Sequence, residues 1–491
     1  MNRSPKANPF WIVRRTLAAL AVVVLAGCAT VGPDYIPPRT MASPTWNTPL
    51  QGGLMVEANP QSLTTWWMTL NDLDLSKLIE RAVARNRDLK KAEARVREAR
   101  ARRGLSRSAL YPTLDATGSV TRSRGSAEAG AATTNDLFSA GLDASWEIDL
   151  FGGVRRDLEA SEADLQAAGE DLHDMLISLL AEVALNYVDL RTGQARLAVT
   201  EASLKSQDET HSLALWRFQA GLGDDLAVQQ ARYNLENTRA QIPALRTAIS
   251  EAQNRLAVLL GEAPGAVHAE MAAPRPIPGI PPQVAVGVPA DLMRQRPDVR
   301  RAERQLAAQT ARIGVAAAEL YPKLKLSGAI GLQALSFGGL FSSGNATSSG
   351  SSGVTWRLFD AGAIRRNIEV QSALQEQSLI AYESAVLVAL EEAENAIGAY
   401  AQEQRRRQSL GEATRSAEVA VELAQIKYRM GLTDFGTVLE AERSLLSFRD
   451  QLAQSEGAVL ANLVKLYKAL GGGWTPLMPV EQERSVNGEK L

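Results

Sequence analysis

Few side chains in this sequence have the types and spacing that catalysis or metal binding requires. The 491 residues contain one cysteine, Cys28, and three histidines, His173, His211 and His268, which lie far apart and show no HExxH or other paired spacing. A lone cysteine cannot form an intramolecular disulfide or a cysteine-rich metal site. The sequence shows no phosphate-binding glycine loop or nucleophile elbow, and the carboxylate pair at 391–392 fits solvated charge on a helix. The sequence therefore predicts a protein that is not an enzyme and needs no metal.

Composition narrows the function classes further. The chain carries 53 Lys and Arg against 55 Asp and Glu, and this balance leaves no global basic field for general nucleic-acid binding. Hydrophobic residues make up 45% and charged residues 22%, which is too apolar for a disordered chain. Aromatic residues are only 5%, because Ala and Leu supply most of the apolar side chains. This bias favours long helices.

The N-terminus has the charge order of a secretory signal. Basic residues precede a short apolar run, 17–26, which cannot span a membrane as a stable helix. Small residues then lead into Cys28, and this junction resembles the bacterial lipoprotein processing box. The resemblance implies that residues 1–27 are a signal peptide and that Cys28 carries a diacylglycerol or acyl lipid, each buried CH₂ contributing roughly 0.8 kcal/mol to anchoring. Ala29, where some lipoproteins have Asp, implies delivery to the outer membrane. The alternative is a buried cysteine in an ordinary signal anchor.

Two halves of the chain repeat at a constant offset of 210 residues. The matching groups are Leu110-Tyr111-Pro112 with Leu320-Tyr321-Pro322, Trp146 with Trp356, Gly152 with Gly362, Arg155-Arg156 with Arg365-Arg366, Gly221 with Gly431, and Leu260-Gly261 with Leu470-Gly471. The repeat predicts an N-terminal segment 28–75, a first repeat 76–263, a proline-rich linker 264–286, a second repeat 287–471 and a tail 472–491. Each half should have the same fold.

Each repeat contains two segments in which apolar and polar residues alternate. The first repeat predicts strands at 113–124 and 137–149, and the second at 323–333 and 352–359. One face is apolar, as in a transmembrane β-barrel wall around a wet lumen. A soluble hairpin with one buried face also fits the alternation, but the outer-membrane address favours the barrel. The polar face is mixed in sign, with Asp143, Glu147, Lys323 and Arg357.

Four strands cannot close a barrel, because the smallest types have about eight. Open strand edges are not tolerated in lipid, so the chain must oligomerise if the strands span a membrane. Two copies would supply eight strands and three copies twelve. A wide polar pore favours three.

Long helices follow the strands in each repeat. No proline interrupts 153–218, which corresponds to roughly 100 Å of helix. Heptad leucines from Leu158 shift phase by four at Val183, and such a stutter locally unwinds a coiled coil. The helices could therefore lie side by side around a cylinder or pack only as two-stranded hairpins. Pro243 should kink the return helix of the first repeat alone.

Turns at equivalent positions close the helical hairpins. Gly221 and Gly431 are placed to end the outgoing helices. Asp224 or Asp225 should cap the first return helix and Asp434 the second.

Several runs together resemble the bacterial outer-membrane efflux proteins, and within them the lipoprotein branch called NodT-like or OprM-like, which is related to TolC. The runs are the paired Leu-Tyr-Pro, Phe359 to Arg366, Tyr428 to Glu442, and the lipoprotein box at Cys28. The resemblance implies a mixed α and β membrane protein. Three protomers would each give four strands to a 12-stranded transmembrane β-barrel, continued by a long α-helical periplasmic barrel. An equatorial region would come from the termini and linker.

The resemblance also implies a function and partners. Such proteins are outer-membrane exit ducts of tripartite pumps, which dock with a periplasmic adaptor and an inner-membrane transporter of the resistance-nodulation-division class. They conduct small molecules such as drugs or toxic compounds passively and need no cofactor. Two alternatives remain at this stage. One is a lipid-anchored coiled-coil scaffold, which leaves the strands unexplained, and the other is the channel of a type I protein secretion system.

A gate at the helical tips is implied as well. Tyr428 matches a tip tyrosine of the family, Glu440 falls where an acidic ring is common, and Arg429 lies nearby. Thr437 stands where some members have an aspartate, so that ring would be neutral here. Asp224, Asp225 and Asp434 are candidates for the same gate, with helix capping as their alternative role. Tyr428 and Trp216 fit packing roles.

Overall fold

A computed structural model describes residues 30–38, 44–56, 63–126, 128, 133–290 and 295–474 of the chain. Cys28, the signal peptide expected at 1–27 and residues 475–491 lie outside these ranges. The helices within the described ranges include none with the length and apolar character needed to cross a bilayer.

The elements repeat in the order helix, two strands, long helix, return helix. In chain order they are β1 (Leu54–Met55), α1 (Leu73–Arg85), α2 (Arg87–Ser108), β2 (Thr113–Arg124), β3 (Thr134–Ile148), α3 (Gly153–Gln219), α4 (Asp225–Leu259), β4 (Val284–Ala285), α5 (Pro297–Ala318), β5 (Lys323–Ala334), β6 (Ala346–Thr355), α6 (Ala363–Arg429) and α7 (Phe435–Ala469). Both α3 and α6 have 67 residues, and both α4 and α7 have 35. The two-fold internal repeat is therefore confirmed.

The segment 76–109, rich in Ala, Arg, Glu, Lys and Leu and without proline, predicts one continuous helix, but the structure interrupts it at Asn86. The Asn86 backbone is extended (ψ 136°), and its side chain accepts a hydrogen bond from the Leu89 backbone N–H at 2.9 Å. Its amide nitrogen donates to the Leu259 carbonyl at 2.8 Å. Asn86 thus begins α2 as an N-cap residue while tying it to the end of α4, and this tertiary contact overrides the local helix preference.

The chain divides into two compact units, which are described separately. Unit 1 comprises residues 1–38, 95–169 and 301–383, and unit 2 comprises 39–94, 170–300 and 384–491.

Unit 1 contains an antiparallel sheet in the order β2-β3-β5-β6. Residues paired across the strands share a face, so the register aligns Leu114 with Ala144, Leu142 with Ile330, and Trp146 with Leu326. The other face is polar. Its cross-strand hydrogen bonds include Thr117 Oγ1 to Asp143 Oδ2 at 2.7 Å and the Ser119–Ser139 and Ser327–Ser351 hydroxyl pairs at 2.7 and 2.9 Å. The two outer strands, β2 and β6, each pair on one side only among the described residues.

The last strand differs most from the prediction of 352–359. β6 begins earlier, at Ala346, and ends at Thr355, because ten of its residues follow the hydrogen-bond ladder of β5. Much of β6 is Ser and Gly, and this part lies before the predicted strand. β3 likewise begins at Thr134 rather than 137 and ends at Ile148, and β5 ends at Ala334. Pairing with a neighbouring strand, rather than side-chain alternation, sets these ends.

Both tryptophans of the repeat hold the turn that precedes their hairpin. Trp146 Nε1 donates to the Leu110 carbonyl at 3.1 Å, and Trp356 Nε1 donates to the Leu320 carbonyl at 3.0 Å. Each carbonyl lies just past a helix end, where helical partners are missing. The repeated Leu-Tyr-Pro and Trp motifs therefore form the same hydrogen bond at the same turn in both repeats.

An N-terminal strap, residues 30–38, lies on α3 and α5 within unit 1. Arg156 binds it through the Val31 carbonyl at 3.1 Å and the Asp34 carboxylate at 2.6 Å. Further along the strap, Tyr35 packs against a small core of Ala163, Ala307 and Ala308 and donates a hydrogen bond to Glu303 at 3.0 Å. The strap therefore fills the groove between two helices from different repeats.

The core of unit 2 is built on the middle of the long helices. Trp66 is 1% exposed and stacks on Tyr467, with ring centroids 5.3 Å apart. The N-terminal segment and the linker meet there, because β1 and β4 form a short parallel pair. Along α3, the heptad positions from Leu172 to Leu190 are buried, whereas Leu158, Leu165, Leu197 and Leu204 are only half-buried in a single copy.

Two arginines are buried in unit 2 with their charges compensated. Arg191, 1% exposed, binds Asp74 at 3.1 Å and the Ala273 carbonyl at 3.0 Å. Arg296 binds Asp298 and Glu392, both at 2.7 Å. Glu391 and Glu392 are both exposed on α6, as predicted, and the Glu392 side chain, 53% exposed, also pairs with the buried Arg296 guanidinium.

The close approach of α7 to α3 leads to a stability prediction. A Cβ at Gly457 would lie 2.0 Å from Thr192 Oγ1, whereas a Cβ at Gly411 on α6 meets nothing within 4 Å. We expect Gly457→Ala to destabilise the protein by about 1–3 kcal/mol through overpacking. The same change at Gly411 should be neutral or stabilising, because alanine favours a helix by roughly 1 kcal/mol over glycine. Thermal unfolding of the two solubilised variants tests this, and equal midpoints would contradict it.

Candidate periplasmic gate at the helical tips

Two equivalent turns in unit 2 end the long hairpins. Gly221 (φ +69°) and Gly431 (φ +73°) adopt the left-handed conformation that glycine tolerates. Leu222 N donates to the Arg217 carbonyl and Leu432 N to the Lys427 carbonyl, both near 2.9 Å. Both turns are thus closed by the bond pattern of a Schellman motif.

Aspartates begin both return helices, as the capping interpretation predicted. Asp224 accepts a hydrogen bond from Ala227 N at 3.0 Å, and Asp434 accepts one from Thr437 N at 2.8 Å and another from the Thr437 hydroxyl at 2.9 Å. Hydrogen bonding from the Thr437 backbone holds the pKa of Asp434 below its usual value. Asp225 lies one residue further on and accepts from the Gln229 side chain at 3.2 Å. Thr437 therefore supports the cap through both its backbone and its side chain.

Tyr428 joins the two hairpins. Its ring lies 5.2 Å from that of Phe435, and the Arg217 guanidinium lies 4.9 Å above its centroid. From α6 it packs against a cluster contributed by the other three helices of the tips, composed of Ala214, Val228, Ala231, Phe435 and Leu439. The structure therefore gives Tyr428 a packing role. Trp216 is 66% exposed in a single copy, so its predicted packing role is not seen within the chain.

The remaining candidate residues are exposed. Glu440 has a side chain 68% exposed and pairs with Arg443 at 2.9 Å, one turn along α7. Arg429 is exposed and donates through Nε to its own helix at the Gln425 carbonyl, 3.3 Å away. Glu440 and Asp434 line the same groove between α6 and α7. The other lining residues are mostly small: Ala413, Ser416, Ala417, Ala420, Gly436, Thr437, Ala441, Ser444 and Phe448.

Sequence reasoning missed one titratable residue of the tips, Glu442. Its side chain is 7% exposed, and its Oε1 accepts from Thr210 of α3 at 2.8 Å and from Gln425 of α6 at 3.3 Å. Its second oxygen is buried and has no hydrogen-bond partner. Burial raises the pKa of Glu442, since the charged form is poorly solvated. The available signal was its position on the apolar stripe of α7, between Leu439 and Leu446.

The tips therefore combine exposed carboxylates with packed contacts between the hairpins. Within the described ranges, no group of His, Cys, Asp and Glu residues is arranged to hold a metal ion. His173, for example, packs on Trp474 with ring centroids 4.5 Å apart.

Comparison with known proteins finds a sequence family and relatives that match most of the chain. The sequence model of the family described as outer membrane efflux protein matches residues 78–262 and 288–472, one match for each repeat. The chain is 32% identical over 459 residues to nodulation protein T of Rhizobium leguminosarum bv. trifolii, covering 93% of this chain and 96% of that protein. It is 30% identical over 476 residues to the solvent efflux pump outer membrane protein SrpC of Pseudomonas putida, covering 94% and 98%.

A solved structure shows the same fold. The outer-membrane channel OprN superposes with a TM-score of 0.84 and 36% identity, covering 91% of this chain and all of that one. The expected fold class, a trimeric channel with four strands per protomer and a long helical barrel, is thereby confirmed.

The buried carboxyl at the tips leads to a pH prediction. Because the pKa of Glu442 is raised in the folded state, its neutral form stabilises the packed tips at low pH. That contribution is lost as the pH rises from about 4.5, the ordinary glutamate value, through the raised pKa. Glu442→Gln keeps the side chain neutral and should remove this part of the pH dependence.

Thermal unfolding of the solubilised trimer from about pH 4 to about pH 8 measures the difference. We expect wild type to lose stability relative to Glu442→Gln as the pH rises. Glu440→Gln is the control, since its carboxylate is solvated and paired with Arg443. If the unfolding temperatures of wild type and Glu442→Gln change equally with pH, the burial of this carboxyl does not affect stability.

Proposed function

This chain belongs to the outer membrane efflux protein family, and we propose that it passes small molecules received from a periplasmic adaptor and an inner-membrane transporter of the resistance-nodulation-division class. The protein is an outer-membrane channel that extends into the periplasm and serves as the exit duct of an efflux pump. Its family consists of transport channels rather than enzymes.

One observation supports conduction above all others. The four-stranded sheet has an apolar face and a polar face, and within the described part of one copy its outer strands are paired on one side only. Three copies supply twelve strands, which closes the sheet and turns the polar face into a water-filled lumen. A periplasmic scaffold would not explain a sheet with one apolar face and one polar face.

The domain proposal follows the repeats. Residues 28–75 form the lipid-anchored N-terminal and equatorial segment, 76–263 and 287–471 the two efflux repeats, 264–286 the linker and 472–491 the tail. The parallel pairing of β1 with β4, which joins the N-terminal segment to the linker, supports a mixed equatorial region.

The helical tips are the proposed docking surface for the adaptor. Both turns expose a leucine at the same repeat position, Leu222 and Leu432, each 70% exposed, and Met430 beside the second is 60% exposed. Contact with a partner would remove these apolar side chains from water, which is energetically favourable. The inner-membrane transporter would supply the energy, because this chain contains no nucleotide-binding loop.

The proposed gate lies at the same tips and consists of Tyr428, Arg429, Asp434, Glu440, Asp224 and Asp225. Tyr428 holds one hairpin against the other, and the two aspartate caps fix where the return helices begin. Glu440 is the exposed carboxylate that three copies would present to ions. Symmetric carboxylates near an axis attract cations and repel one another when ionised. Opening would separate the hairpins by untwisting the helices.

The cargo class rests on the relatives. Solvent is named for one of them, nodulation for another and a cation for a third. The proposed lumen face is mixed in sign, since Glu147 pairs in register with Lys325 across β3 and β5. A lumen of mixed charge suits varied small molecules better than a single ionic class.

Planar-bilayer recording tests conduction and the gate together. Purified wild-type protein should form discrete cation-preferring channels. Glu440→Gln should reduce the cation-to-anion permeability ratio several-fold, because the carboxylate ring loses its charge. Glu412→Gln is the matched control, since Glu412 is 64% exposed and paired one turn away with Arg415. Absence of conductance would refute the channel, and equal selectivity of the two variants would remove Glu440 from the gate.

The lipid anchor is proposed at Cys28, the only cysteine of the chain. Cys28→Ala should abolish incorporation of labelled palmitate, and the wild-type mature protein should show the mass of a lipid-modified N-terminus. Each acyl CH₂ contributes about 0.8 kcal/mol to membrane retention, so the anchor alone would hold the chain on a bilayer. An unmodified wild-type protein that still carries residues 1–27 would contradict both the anchor and the signal peptide.

A further inference from the structure

The loop that joins β5 to β6, residues 335–345, folds back onto the sheet of unit 1. Its Phe337 packs edge-to-face on Phe138 of β3, with ring centroids 5.9 Å apart. A Cβ at Gly339 would lie 3.8 Å from the Cβ of Ala334, the last residue of β5. The loop is therefore seated on β3 and β5, the two central strands, whereas neighbouring copies would pair at β2 and β6.

Hydrogen bonds within the loop close it on itself. The Asn345 side-chain nitrogen donates to the Gly339 carbonyl at 2.7 Å. The Asn345 backbone N–H donates to the Ser342 carbonyl at 3.0 Å. The Leu340 N–H donates to the Phe337 carbonyl at 3.2 Å, and the Leu340 side chain is only 4% exposed. The loop is therefore a compact unit that holds the Phe337 ring against the sheet.

The loop lies on the apolar face of the sheet. Phe138 and Ala334 pair in register, and residues two apart along a strand share a face, so the pair Leu142 and Ile330 lies on the same side. Phe337 therefore packs on the side that these apolar residues occupy. In a closed barrel that side faces lipid, so this step rests on the proposed function.

The loop contact marks the extracellular end of this apolar face. Val120 pairs with Phe138, and the next pair outward on the same face is Arg122 with Asp136, a salt bridge at 2.6 Å. The long helices follow the opposite ends of β3 and β6 and extend into the periplasm. Phe337 thus lies where the apolar surface ends and charge begins, on the side away from the periplasm.

The height of the apolar face agrees with this position. The stretch of β3 from Phe138 to Trp146 is roughly 26 Å long at about 3.3 Å per residue. A strand tilt of about 40° reduces its height to roughly 20 Å, which fits within the apolar band of about 25 Å in outer-membrane barrels. Aromatic rings at both ends of the stretch match the positions that aromatic residues prefer in a bilayer.

The composition of the loop differs from that of its counterpart in the first repeat. Residues 335–345 contain Leu335, Phe337 and Phe341 and no charged side chain. The equivalent residues of the first repeat, 125–135, contain Glu128 and no aromatic residue. A loop in water gains nothing from unpaired phenylalanines, whereas the boundary between hydrocarbon and headgroups favours aromatic rings.

We propose that residues 335–345 are an interfacial anchor, which inserts Phe337 among the outer-leaflet lipids between their headgroups and acyl chains. Phe138 supports one side of the Phe337 ring and lipid covers the other. Because the loop is tied to the central strands, its insertion fixes the depth of the extracellular end of the barrel in the bilayer. The second repeat alone supplies this anchor.

Depth-dependent quenching tests the proposal on the full-length trimer in vesicles of phosphatidylethanolamine and phosphatidylglycerol. The Phe337→Cys variant is labelled with the environment-sensitive fluorophore NBD, and wild type treated in the same way measures any reaction at Cys28. Nitroxide attached to a lipid headgroup should quench the label at 337 several-fold more strongly than aqueous iodide. Phe337→Trp keeps an aromatic ring on Phe138, and its added fluorescence over wild type should be quenched by lipids brominated near the headgroup.

Two labelled positions on the same central strands serve as matched controls. Ile330 lies on the apolar face midway between the two aromatic ends, so Ile330→Cys should be quenched best by nitroxide deep in the acyl chains. Ser139 follows Phe138 on the opposite face of β3, so Ser139→Cys should be quenched by iodide and by neither lipid probe.

The control at Ile330 separates failure of the anchor from failure of the proposed function. If Ile330 is quenched from the acyl chains but iodide reaches the label at 337, the loop lies in water and the anchor is refuted alone. A label at 337 shielded from both lipid and iodide would also overturn it, since protein would then cover the loop. A label at Ile330 that no lipid probe reaches would instead refute the membrane-spanning sheet.

Discussion

The structure depends on one constraint, which is that backbone N–H and C=O groups cannot remain unpaired in hydrocarbon. A single chain offers four strands, and β2 and β6 are each satisfied on one side only in the described residues. Closure therefore has to come from other copies. The long helices α3 and α6 start a few residues after β3 and β6 end, so the closed sheet fixes where they begin. Assembly is thus a condition of the fold rather than an addition to it.

Internal duplication allows the two repeats to share one framework and still differ at single positions. Equal helix lengths and equivalent turns let two repeats occupy similar places in one ring, while single substitutions give them different tasks. Asp149, which binds Arg155, has Phe359 at its repeat position, and Glu442 stands where the first repeat has Arg232. The duplicated framework thus tolerates sites that exist only once per chain.

The sequence predicted the fold where a pattern is repeated and failed where a tertiary partner decides. Alternation located β2 and β5, because both have one apolar face. It misplaced β6, whose serines and glycines carry no alternation and whose position is set by pairing with β5. It also missed the break at Asn86, which only the contact with Leu259 explains.

At the tips, sequence reasoning found the exposed charges and missed the buried one, and the physical reason is general. Glu440 and Asp434 stand out as charged residues near a turn, and the structure gives them solvent and a helix cap. Glu442 looks similar in sequence, but its carboxyl lies between helices from both hairpins, where Thr210 and Gln425 donate to it. A buried carboxyl is sensitive to any movement that admits water, since water stabilises its charged form. An exposed carboxylate keeps its solvation when the hairpins move apart. Any separation of the hairpins that admits water would therefore favour the charged form of Glu442.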